Sequence, residues 1–151
     1  MLILSLLIGI VAGLRTMMAP TAISWTAACG ILALEGSWLA FLGWRFTPWI
    51  FTLLAIGELI ADQLPATPSR KVPPQFAARL ISGGLCGAAI AVGAGSWPLG
   101  LALGVIGALI GTLGGAAARA RLAAAFGRDW PAALIEDAVA ILAALAIVCA
   151  L

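Results

Sequence analysis

The sequence predicts an all-α integral membrane protein, one domain over residues 1–151 built as a bundle of five to six transmembrane helices, on three observations. Hydrophobic residues make up 64% of the chain and charged ones 9%, against roughly 45–50% and about 25% in a soluble domain. Eight basic and six acidic side chains are too few to coat a globule that meets water on every side. Apolar stretches recur from end to end, and at about 20 residues per crossing there is room for up to six.

Breakers and charges mark the elements in order. The first segment runs from about Leu2 to Met18 and closes on GLRTMMAP, where Arg15 and Pro20 stand close together. The second, from about Pro20 to Trp44, is interrupted by Glu35-Gly36-Ser37 and reads either as a full crossing or as a short helix with an interfacial piece. The third spans about Pro48 to Leu64 and runs into QLPATPSRKVPP, whose four prolines exclude a continuous helix and make it the longest polar loop. The fourth covers about Gln75 to Val92, the fifth Pro98 to Ala125, and the sixth Pro131 to Leu151. Although the first segment has the length of a targeting signal, no positive residue precedes it and another apolar segment follows, so it is expected to remain as a helix.

Trp38, Trp44, Trp49, Trp97 and Trp130 fall at the expected helix ends, where an amphipathic indole favours the headgroup layer. Every basic residue except Arg45 gathers at one set of turns, which the positive-inside rule assigns to the cytoplasm, with both termini outside.

The fifth segment carries Gly100, Gly104, Gly107, Gly111 and Gly114 at alternating steps of four and three. In lipid, small residues on one face let two backbones approach closely, so this stripe points to tight helix packing within the chain or across a homo-oligomer. Three segments on either side of the proline-rich loop suggest a 3+3 inverted repeat. Gly9, Gly13 and Arg15 loosely parallel Gly107, Gly111, Gly114 and Arg119, with different spacings.

Composition narrows the chemistry. There is no His and no Tyr, and Cys29, Cys86 and Cys149 lie far apart among Ala, Gly and Leu. No metal or cofactor is expected from such a set, nor an enzyme whose acid–base work would rest on carboxylates alone. The dispersed basic residues form no stripe for nucleic acid, so the expected partner is the lipid bilayer.

Against this background, charges inside apolar segments stand out, because each costs roughly 2.5–3.5 kcal/mol on insertion. Glu58 and Asp62 lie four apart on one helical face, whereas Glu136 and Asp137 point about 100° apart. All four fall toward the same end as Arg15 and Arg79. They form either an ion-pair network that pins helix ends, or a polar cavity that binds an ion or small solute.

Taken together, GLRTMMAPTA, GELIADQLPATPSR with the following PP, AARLISGG and AALIEDAVAI resemble the small bacterial inner-membrane proteins grouped as domain of unknown function 4126. The resemblance covers nearly the whole chain. It implies a multi-pass inner-membrane protein whose signature positions correspond to Arg15, Glu58, Asp62, Pro65, Arg79, Glu136 and Asp137. The residues then allow a small transporter or channel with a charged cytoplasm-side site, in which Arg15 and Arg79 are the fixed cations and the four acids accept an ion or proton. The rival is a non-transporting scaffold or assembly partner whose charges are structural. A dry, mutually neutralised cluster favours the second and a water-lined cavity the first.

Overall fold

The computed structural model describes residues 1–62 and 72–151. The expected proline-rich loop, with Pro65, Arg70 and Lys71, lies mostly outside them. The described residues form six α-helices and no strand: α1 (Leu2–Leu14), α2 (Met18–Ala28), α3 (Thr47–Ala61), α4 (Pro73–Val92), α5 (Trp97–Phe126) and α6 (Asp129–Cys149), with a 3-10 turn at Ala40–Gly43. Proline opens α3, α4 and α5 in the first turn, where its missing N–H has no intrahelical partner to lose.

Three helices, α4, α5 and α6, are long and apolar enough to cross a membrane. At 13 and 15 residues, α1 and α3 are shorter, about 20 Å each. Many of the outward side chains are large and apolar, including Leu53, Ile81 and Leu142. Such a surface suits lipid and would be an aggregation hazard in water.

Of the two courses open to the second segment, the described residues take the short helix: α2 stops after 11 residues at Ala28. Gly30 takes φ +77°, a left-handed backbone that a side chain would oppose. The Ile31 and Gly30 amides fold back onto the Thr26 and Ala27 carbonyls and close the helix end. The chain from 31 to 46 is irregular around the 3-10 turn, yet it buries Leu34, Leu39 and Leu42 in the same core as Ile8 of α1, Ile90 of α4 and Ile147 of α6. Hydropathy cannot separate this from a helix, because buried irregular chain is just as apolar.

Around α5 the bundle is built backbone against backbone. On α1, Gly9 lies against Gly104, and Gly13 against Ala108 and Thr112, so α1 runs parallel to α5. On α4, Gly83 faces Gly104 and Ala108 while Gly87 faces Gly100 and Gly104, so α4 runs antiparallel. A Cβ at Gly83 would stand 2.7 Å from the Gly104 carbonyl oxygen, and one at Gly87 2.8 Å from the Gly104 Cα. Gly100, Gly104, Gly107 and Gly111 all line this seam, whose partners are α1 and α4 of the same chain. Gly114 does not, contrary to the expected five-residue stripe. It is exposed with open space around its Cα, because α1 has already ended at Leu14 near the level of Thr112. Gly115 is buried instead.

The two halves have the three-plus-three order that suggested a repeat, but not its dimensions. Helices of 13, 11 and 15 residues precede the loop, and helices of 20, 30 and 21 follow it.

Candidate functional site: a charge network at one end of the bundle

The site begins where α1 breaks. Arg15 is extended, with φ −137° and ψ 113°, and only Arg15, Thr16 and Met17 separate α1 from α2. A helix end leaves carbonyls or amides without intrahelical partners, and burial makes them costly. Here both ends are answered by side chains of opposite sign. The Arg79 Nη1 donates to the Gly13 and Leu14 carbonyls at 2.6 and 2.8 Å, placing a cation at the negative end of α1. The Glu58 carboxylate accepts from the Thr16 and Met17 amides, both at 2.8 Å, placing an anion at the positive start of α2. Ser82 donates to the Thr16 carbonyl at 2.7 Å and Thr112 to that of Gly13 at 3.3 Å. Arg79 and Glu58 also approach each other, Nη2 to Oε1, at 3.9 Å.

Between the helices, the Arg15 side chain pairs with Asp62 at the end of α3 and with Asp137 on α6. It is wholly buried, and its Nε has no hydrogen-bond acceptor among the described residues. Asp62 is shared, since Arg119 of α5 places Nη1 3.8 Å from its carboxylate. The same Nη1 lies 3.7 Å from Glu136. Arg119 also makes a two-pronged contact with Asp129, Nε to Oδ1 at 3.0 Å and Nη2 to Oδ2 at 2.6 Å. The result is an alternating chain of charges, Asp137, Arg15, Asp62, Arg119 and Glu136, in which a guanidinium separates successive carboxylates. Every member of this chain is at most 16% exposed in its side chain, Arg15 least at 1%, and the branch to Asp129, 63% exposed, is the one that reaches the surface.

All six charged candidates, Arg15, Glu58, Asp62, Arg79, Glu136 and Asp137, sit at this one end. Glu136 and Asp137 reach different cations, as adjacent helical positions must. Glu58 and Asp62, one turn apart, avoid mutual repulsion because each meets its own arginine. Two participants had no place among the candidates. The sequence shows Arg119 only as one of the basic residues that set orientation and as the loose counterpart of Arg15, and Asp129 stands in the polar turn GRDWP, where an acid costs little. The signal that joins them is Gly127, whose φ of +66° reverses the chain between α5 and α6 and returns Asp129 to Arg119.

Chemically, the arrangement holds charge firmly. Among the described residues, no group of His, Cys, Asp and Glu is placed to hold a metal ion. Comparison with protein-family models, with characterised proteins and with solved structures finds no match to this chain.

Proposed function

We propose that this chain is a multi-pass protein of the bacterial inner membrane that serves as a non-transporting scaffold or assembly partner, its charges fastening a thin-walled bundle at the cytoplasmic end. One observation carries the reading: Arg15 is inaccessible to solvent and shared between Asp62 on α3 and Asp137 on α6. A cation so placed ties the short-helix half to the long-helix half and is itself out of reach of a solute. The charged end faces the cytoplasm on the positive-inside rule, since Arg15, Arg79, Arg119, Arg121 and Arg128 collect there, and Arg45, just before α3, lies at the other end. On this topology the chain passes six times, the second pass being α2 with the irregular segment. Irregular backbone at membrane depth is tolerated where protein buries it. The motif resemblance supports the same membrane assignment.

A second reading, a small transporter or channel for an ion or small solute, is favoured by the broken α1–α2 pair. Helix ends that meet charged groups inside a bundle are how transporters hold ions. On that reading the paired charges are a closed cytoplasmic gate. Reconstitution separates the two. The scaffold reading expects Glu58→Gln and Glu136→Gln to lower the melting temperature in detergent, with no ion or proton flux from the unmodified protein in proteoliposomes. Flux that both variants abolish while still melting as the parent does would overturn it in favour of transport.

A further inference from the structure

The same end of the bundle holds two arginines that the network does not use. Successive helical positions turn by about 100°, so Arg121 points roughly opposite to Arg119, away from Asp62 and Glu136. Arg121 and Arg128 are exposed, and neither forms an ion pair among the described residues. The nearest acid in sequence, Asp129, is already engaged with Arg119. Flanking them are Phe126, 51% exposed, and Trp130, 62% exposed, on either side of the Gly127 reversal. Depth follows from length. With 30 residues, α5 is about 45 Å long, against a hydrocarbon layer of about 30 Å. With Trp97 in the headgroup layer at its other end, α5 spans the roughly 40–45 Å of hydrocarbon plus both headgroup layers, which places Arg121 through Trp130 in the headgroup layer of the charged side.

We propose that the α5–α6 hairpin is a binding surface for anionic phospholipid, with Arg121 and Arg128 taking the phosphate-bearing headgroup and Phe126 and Trp130 seated beside them in the same interfacial layer. A guanidinium recognises phosphate by paired N–H donors and delocalised charge, and it does so here without first breaking an ion pair. An indole beside it belongs at the same depth. The assignment needs only that the protein sits in a bilayer, so it stands whether the charge network is a fastener or a gate.

The test uses the full-length protein in phosphatidylcholine vesicles containing lipid dibrominated near the headgroup end of the acyl chain, as either phosphatidylglycerol or phosphatidylcholine at equal mole fraction. The five other tryptophans lie toward the opposite end or on α2, and the emission lost in Trp130→Phe isolates the Trp130 signal. Brominated phosphatidylglycerol is expected to quench that signal at about 25-fold lower mole fraction than brominated phosphatidylcholine, about fivefold from each arginine. The preference should fall about fivefold for each arginine removed in Arg121→Gln and Arg128→Gln, and persist in the corresponding Lys variants, which keep the charge. Equal quenching by the two lipids, or an undiminished preference in the double Gln variant, would overturn the proposal. So would loss of the preference on adding millimolar inorganic phosphate, which would make the surface a free-phosphate site. An unchanged Trp130 signal with either brominated lipid would place the hairpin in water and overturn it equally.

Discussion

The seam of α1, α4 and α5 and the charged end beyond it hold the same helices by opposite means. Along the seam, Gly9, Gly83, Gly87 and Gly104 bring backbones into contact with no charge between them. One turn further, Arg15, Arg79 and Arg119 hold the helices through carboxylates and carbonyls. In lipid, apolar burial gives helices no reason to associate, so contact must come from close approach or from polar groups that hydrocarbon cannot solvate. The protein uses each where the other fails. Glycine works only where helices run side by side, and charge takes over where α1 breaks and leaves its backbone groups open. The seam should therefore be sensitive to volume and indifferent to charge, and the end the reverse.

Removing the central cation breaks this contrast most severely. Arg15→Met keeps the length of the side chain but leaves Asp62 and Asp137 without the guanidinium between them. A loss of about 3–5 kcal/mol is expected, the range for stripping one partner from a buried pair. Thermal unfolding in detergent measures it, and a melting curve close to that of the parent would mean that the end is not held by charge.

Next in size is Gly107→Leu. A Cβ there would lie 2.9 Å from the Ile10 amide nitrogen and 3.0 Å from the Gly9 Cα, so α1 must move away. Overpacking of this kind costs about 1–3 kcal/mol, and more when the obstacle is backbone. The change carries no charge, so salt should leave the difference from the parent unaltered. A salt-dependent difference would blur the line between the two regions.

Glu58→Gln tests the cap on α2. The amide oxygen can accept from only one of the Thr16 and Met17 amides in the orientation that now serves both, and the anion at the helix start is lost. A destabilisation of about 1.5–3 kcal/mol is expected, the worth of hydrogen bonds to a charged acceptor. Protection of the Thr16 and Met17 amides from hydrogen exchange should fall with it, while amides along α5 keep theirs.

The smallest effect sharpens the comparison from the seam side. Gly114 has the spacing of the stripe but open space around it. Gly114→Ala should therefore change stability by no more than about 1 kcal/mol, in the stabilising direction given by helix propensity. Destabilisation as large as that of Gly107→Leu would mean that the seam extends past the end of α1.

How much of the site could be read beforehand depended on what each residue costs where it stands. Arg15, Glu58, Asp62, Arg79, Glu136 and Asp137 announced themselves because an ionised group in an apolar segment is expensive and needs a partner. Their pairing did not. Nothing in the spacing of Asp62 and Asp137 says that both reach Arg15, and Asp129, inexpensive in its polar turn, gave no sign that it completes Arg119. Four glycines of the stripe lie in the seam, and the fifth fails for a reason that belongs to another helix.

A helical chain suited to lipid, turns marked by Pro and Gly, and charges in need of partners are all written in the order of residues. Those properties are local: hydropathy, backbone freedom and solvation cost belong to a residue and its near neighbours. Packing between distant segments settles the rest: α2 stops at Ala28 with irregular chain filling the core beneath it, the glycine face is taken by α1 and α4, and Arg15 is shared by two helices. In each of these cases the deciding contact joins segments far apart in the chain. A buried Leu34 or a crowded Gly104 has the same local chemistry whichever neighbour arrives, and the fold supplies the neighbour.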